Sequence, residues 1–180
     1  MNFVMNDNNE LPVGGGEKLS YIPTKNFELN VDLEKVLSNG TVQMEDTSQV
    51  VDKVQWTINK SFLLKNQLML LLLLAENDWD RPVYFAVTTG ADAYLGLENY
   101  FQLEGLAYRL VPIKTVNSNV NLSGRVATDI MFDNMMNKFE WGNMDKENIY
   151  MDENNIRMTT NLRLQFSNLA DALIEEGDRS

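Results

Sequence analysis

The sequence predicts an α/β fold: a mixed, mainly parallel sheet with helices on both faces. Three observations point there. Residues 54–58 (VQWTI) alternate with period two and carry β-branched and aromatic side chains, as a strand does. Residues 83–87 (VYFAV) are apolar without alternation, as expected of a strand covered on both faces. A helical run over residues 62–77 lies between them, and a strand–helix–strand order favours a βαβ core.

The remaining elements follow in order. Residues 1–17, ending in Gly14-Gly15-Gly16, are expected to be a flexible lead-in, because the glycines lack the spacing of a phosphate-binding loop. Residues 19–22 and 27–31 are short strand candidates. Asp32 is placed to cap a helix to residue 37, closed by Asn39-Gly40. Residues 48–53 suggest a helical turn. Ser61 is expected to cap the 62–77 helix, which is apolar nearly all round after Gln67 and should be buried, with residues 68–74 packed beside strand 83–87. Asp80-Arg81-Pro82 ends it, since the residue before proline avoids the α region. A helix over 93–103 closed by Gly105, a strand over 107–113, a polar loop over 114–125, and a helix over 128–139 capped by Thr128 or Asp129 follow. Residues 140–155 read as an acidic loop. Asn155 or Thr160 is expected to open a last helix to Glu176. The expected organisation is the lead-in 1–17, an α/β domain over 18–125 and a helical segment over 126–180.

Composition excludes several chemistries. The chain has 180 residues, with 15 Lys plus Arg against 26 Asp plus Glu, a formal charge of −11. That balance disfavours nucleic acid and anionic membrane surfaces. Cysteine and histidine are both absent, so thiolate and imidazole catalysis, disulfides and Cys- or His-ligated zinc are excluded. No cofactor is expected. The start has neither a basic nor an apolar signal region. The longest apolar run, residues 68–75, is far short of the roughly 20 residues of a membrane span. The chain itself is therefore expected to be soluble. Asparagine is frequent, 22 of 180, and its clusters mark turns and caps. Three N-x-S/T sequons, at Asn39, Asn59 and Asn121, stand against about two expected by chance and carry no weight.

Four constellations could carry chemistry. Asp78-Trp79-Asp80-Arg81 places two carboxylates around an aromatic beside a guanidinium, which suits a sugar or cation, with Trp79 as a stacking platform. The simpler reading is a helix-to-strand turn with Arg81 paired to a local carboxylate. Thr88, Thr89, Gly90 and Asp92 follow the best strand, where open parallel sheets bind ligands; the alternative is a connecting loop with a helix cap. Glu98 and Glu104 fall six apart on one expected helix, about 600° of rotation, so they face different ways. The acidic group Asp145, Glu147, Asp152 and Glu153 lacks the glycine of a calcium-binding loop, so no metal site is expected.

The final helix carries Phe166, Leu169, Ala170, Leu173 and Gly177 at offsets 0, 3, 4, 7 and 11, like the first helix of a tetratricopeptide repeat. The helix is expected to be half of a repeat whose second helix lies beyond Ser180, leaving its apolar stripe as an interface.

The stretch KNQLMLLLLLAENDWDRPVYFAVTTGADAYLGLENYFQLEGLAYRLVPIK, with GRVATDIMFDNMMNKFEWGN and MDENNIRMTTNLRLQFSNLADALIEEGD, resembles the C-terminal part of a large bacterial membrane-protein family described as protein O-mannosyltransferase-like. The likeness covers about residue 18 to the end. It implies a parent with a multi-spanning glycosyltransferase-type region, this piece on the periplasmic or extracytoplasmic side of the cytoplasmic membrane, and tetratricopeptide-like helices after it. Catalytic residues of such transferases lie in the membrane region, so none is carried onto this chain. The expected function is a non-catalytic accessory domain. Its partners would be the rest of the parent protein, acceptor proteins or glycans. The alternatives are a carbohydrate-binding module built on Trp79 and nearby tyrosines, or a carbohydrate-active enzyme using Asp78, Asp80 or Glu104.

Overall fold

The computed structural model describes residues 10–115, 122–144 and 146–177. The first half of the lead-in, the sequon at Asn121 and Asp145 of the acidic group lie outside the described residues. Two compact units divide the chain: residues up to 82 with 91–97 and 112–114 form one, and residues 83–90, 98–111 and 115 onward form the other.

In the first unit, β1 (Glu10–Pro12) and β2 (Lys18–Ser20) make a short antiparallel pair around the three glycines. β3 (Asn26–Asn30) pairs antiparallel with β4 (Lys53–Thr57), and the period-two pattern of both strands buries one face. Phe27, Leu29, Val54 and Trp56 fill that face, with the Phe27 and Trp56 rings stacked 5.6 Å apart. α1 (Leu33–Ser38) begins where expected: Asp32 Oδ1 accepts from the Lys35 amide at 3.2 Å. Gly40, at φ +70°, follows its end.

α2 (Lys65–Asn77) starts later than the sequence suggests. Ser61 does not cap it; the Gln67 side-chain oxygen reaches back to the Leu64 amide at 3.0 Å instead. The expectation of all-round burial fails as well. Gln67, Leu71 and Leu74, at i, i+4 and i+7, are buried, whereas Met69 is 61% exposed and Leu73 52%. The buried residues form a single stripe, so the surplus leucines point outward.

In the second unit, β5 (Tyr84–Ala86), β6 (Phe101–Leu103), β7 (Ala107–Leu110) and β8 (Arg125–Val126) form a sheet in the order β5-β7-β6-β8. The α/β class stands, with the direction of pairing corrected. β5–β7 and β6–β7 are antiparallel, and β6–β8 is parallel. The expected helix over 93–103 is replaced by two 3₁₀ turns, Ala91–Ala93 and Glu98–Tyr100, and by β6. Leu95 and Gly96, both at positive φ, interrupt any helix there. β6 then turns into β7 within three residues, too few for a parallel crossover, so the two strands must run antiparallel. β5 lies at the sheet edge and buries only Phe85 of its three residues, correcting the reading of a strand covered on both faces.

Phe101 is fully buried between Phe85, at 4.8 Å, and Tyr108, at 5.5 Å. Gly124, at φ +71°, lies so close to β6 that an added Cβ would stand 1.9 Å from the Phe101 carbonyl oxygen. α3 (Thr128–Asp133) continues into a π-helical turn, Asn134–Lys138. α4 (Glu153–Glu175) is capped by Asp152, whose Oδ1 accepts from the Asn155 amide at 2.8 Å, so its start precedes both expected caps. α4 packs on α3 and β8.

Two stability outcomes are expected of this packing. Leu71→Ala should cost about 2–5 kcal/mol, whereas Leu72→Ala on the outer face should stay within about 0.5 kcal/mol; urea unfolding of the pair measures the contrast. Gly124→Ala should lose more than about 2 kcal/mol, because it combines a left-handed backbone with a backbone clash. A thermal midpoint equal to that of the parent chain would contradict that placement.

Candidate functional site

The sequence-predicted carboxylates are already engaged. α2 ends in two consecutive left-handed residues, Asp78 at φ 40° and Trp79 at φ 63°. That turn points both acids at one cation: Lys35 Nζ lies 2.9 Å from Asp78 Oδ2 and 2.7 Å from Asp80 Oδ1. Hydrogen bonds from Lys35, first to Asp80 and then to Asp78, raise the lysine pKa above its ordinary value. Arg81 does not pair with these acids; its backbone is held instead by the Asn77 side chain, at 3.2 and 2.8 Å. Trp79 is 7% exposed, and its indole N–H donates to the Asn30 carbonyl at 2.8 Å. Asn39 Nδ2 donates to the Trp79 carbonyl at 2.7 Å. The indole is a core element, and this corrects its reading as an open stacking platform.

Asp92 lies in the first unit, on the 3₁₀ turn Ala91–Ala93. It is paired with Lys60, and it accepts from the buried Gln67 amide through its carbonyl and Oδ2, both at 3.1 Å. Thr88, Thr89 and Gly90 belong to the second unit, where the Thr89 amide closes a turn on the Ala86 carbonyl at 2.9 Å. The strand before them is an antiparallel edge, so the parallel-sheet crevice expected of this position does not form.

On α4, Leu169 is buried and Phe166 and Leu173 are half-buried, whereas Ala170 is exposed, so the expected stripe is only partly an inward face. Phe166 stacks on Trp141 with centroids 5.9 Å apart. Among the described residues, no group of three or more Asp or Glu side chains could hold a metal ion.

The most concentrated polar cluster among the described residues gathers around Glu104, which sequence reasoning named without the Tyr84, Gln102 and Arg109 that surround it. Glu104 leaves the end of β6 and is buried. Its Oε2 accepts from the Tyr84 hydroxyl at 2.9 Å and its Oε1 from Gln102 Nε2 at 2.8 Å. Arg109 approaches Oε1 at 3.7 Å with its side chain only 12% exposed, and its guanidinium sits 5.8 Å from the centre of the Tyr84 ring. Asn134 Nδ2 donates to the Glu104 carbonyl at 2.8 Å. Arg109 Nε is buried with no hydrogen-bond partner among the described residues. The signal was present as Gln102 and Glu104 two apart with Arg109 on the paired strand, but a helical assignment of this stretch hid it. Chemically the cluster is a closed ion pair with a phenol on one side.

Burial, with the neighbouring Glu104 charge after it, raises the Tyr84 pKa above its ordinary 10.0. A raised folded-state value means that the folded chain keeps this proton where the unfolded chain has released it. The stabilisation is complete below about pH 10 and is lost as pH rises through the folded value. Urea midpoints should therefore fall above about pH 10. Tyr84→Phe should flatten that fall, while Lys35 and the similarly raised Tyr108 keep the remainder. An unchanged slope in the variant would remove Tyr84 from the effect.

The described residues contain no helix long and apolar enough to cross a membrane. No curated protein and no solved structure matches the chain. The family model described as TMEM260-associated domain 2 matches residues 1–130. That match spans the β-strand pairs of the first unit and the whole four-stranded sheet, with Tyr84, Gln102, Glu104 and Arg109 but not Asn134, and the chain belongs to the TMEM260-associated domain 2 family.

Proposed function

We propose that this chain is a non-catalytic accessory domain of a membrane glycosyltransferase-like protein of the O-mannosyltransferase kind, holding acceptor or partner chains in position. One observation carries the non-catalytic part. Each carboxylate nominated for acid–base work is tied to a cation or enclosed: Asp78 and Asp80 by Lys35, Glu104 by Tyr84, Gln102 and Arg109. Glycoside chemistry needs a facing pair of carboxyl groups with room for a sugar between them. Acids that share one lysine at hydrogen-bond distance present salt-bridged oxygens instead. The family name, with its association to TMEM260, supports the link to a larger membrane protein.

In this reading residues 18–125 form the accessory domain and residues 126–180 lead into tetratricopeptide-like helices, on the periplasmic or extracytoplasmic side of the membrane. The purified chain, incubated with glycosides or prenyl-linked sugars and peptide acceptors, should show no turnover by mass spectrometry. It should also co-purify with the multi-spanning region of its parent. Turnover that disappears with Asp80→Asn would overturn the reading, as would failure to co-purify.

A further inference from the structure

The outer face of α2 has a pattern that the core does not require. Lys65, Met69, Leu72 and Glu76 are spaced 4, 3 and 4 apart, and all are exposed. At 100° per residue they fall within about 60° of one another, and Leu73 flanks them. The buried stripe of Gln67, Leu71 and Leu74 lies on the opposite side. An apolar centre is therefore bracketed by a cation at the first turn and an anion at the last, about 16 Å apart along the axis.

The two charges are misplaced for an isolated helix. A helix N-terminus carries partial positive charge and its C-terminus partial negative charge, so Lys65 and Glu76 each sit at the unfavourable end. Neither has an ion-pair or hydrogen-bond partner among the described residues. Both conflicts are relieved by the same arrangement. If a second α2 packs antiparallel across this face, with a two-fold axis between residues 70 and 71, Lys65 of each copy meets Glu76 of the other. Met69 of each copy then meets Leu72 of the other, and the two helix dipoles oppose. The 4-3-4 spacing is that of a coiled-coil seam, and an isologous contact needs this kind of self-complementarity.

We propose that the outer face of α2 is a homodimer interface: a second copy of this chain, docked antiparallel through Met69 and Leu72 and registered by two Lys65–Glu76 pairs. One helix face is a small contact, and two copies at −11 each repel, so the dimer is a weak one that forms at tens to hundreds of micromolar.

Charge exchange tests it on the 180-residue chain. K65E and E76K each move a residue to its favourable helix end, so neither should weaken the fold. Sedimentation equilibrium should show a concentration-dependent dimer for the parent chain. Each single variant should weaken it about tenfold or more, because two attractive pairs become repulsive. The K65E/E76K double variant should restore it. Mixing the two single variants should produce a heterodimer in preference to either homodimer. Leu72→Glu should be monomeric with unchanged far-ultraviolet circular dichroism. A parent chain that stays monomeric up to about 500 µM, well above the range expected of a contact this small, would overturn the proposal, whether or not it binds phosphatidylcholine vesicles through this face. So would single variants that dimerise like the parent, or a mixture without heterodimer preference.

Discussion

The second unit is organised around one buried carboxylate. Glu104 stands where β6 turns toward β7, and nearly every element of the sheet reaches it: Tyr84 from β5, Gln102 from β6, Arg109 from β7 and Asn134 from the turn after α3. Removing a carboxylate from water costs several kcal/mol unless its oxygens are paired. Here both are, and its amide bonds the Ala107 carbonyl at 3.1 Å. The cost of burial is therefore offset only when β5, β6 and β7 are in register. Slipping any strand by one residue would turn its partner to the opposite face and leave Glu104 buried and uncompensated. Such a group contributes less to raw stability than to choosing one arrangement of a small sheet whose strands are only two to four residues long.

A comparable device closes the first unit. Two consecutive non-glycine residues with left-handed backbone are costly, of order 1–3 kcal/mol each. Asp78 and Trp79 adopt them in a corner whose indole, Trp79 carbonyl and two carboxylates all find partners. The Trp79 ring is enclosed, its N–H finds Asn30, its carbonyl finds Asn39, and the flanking acids converge on Lys35. The corner joins the end of α2 to the end of β3 and to α1. This accounts for an Asp-Trp-Asp sequence without a ligand: the tryptophan is the anchor, and the aspartates neutralise the lysine that its burial brings near.

How much of this was legible depended on whether the signal was local. The cap at Asp32, the alternation in Val54 and Trp56, and the glycine after α1 are written within a few residues, and the structure has them where they were expected. The α/β class was legible for the same reason. The direction of the strands was not. Reading 93–103 as a helix turned a hairpin into a crossover, and that error made the sheet parallel and moved the expected ligand site to the end of β5. Phe101-Gln102-Leu103-Glu104 does alternate apolar and polar, although Phe101–Leu103 is buried at every position. An alternation this short cannot by itself tell a three-residue strand from a helix. The Glu104 cluster depends on cross-strand neighbours, and no spacing along the chain encodes those directly.

The run of leucines in α2 shows how composition can mislead in the opposite sense. Eight consecutive apolar residues suggest a helix enclosed on every side. Enclosure is a property of the surroundings, however, and the elements around α2 offer only one surface. Leu71 and Leu74 satisfy it, so the remaining apolar side chains must face outward, each leaving apolar area wet at about 25 cal/mol per Å². A net charge of −11 disperses such a chain in solution by mutual repulsion, without covering the face itself. Charge of one sign acts over about a Debye length and is indifferent to register, while the Lys65 and Glu76 termini act at contact and are specific to it. Weak global repulsion combined with a local self-complementary seam is what would let a leucine-rich face remain exposed at low concentration and still select one partner orientation when copies meet.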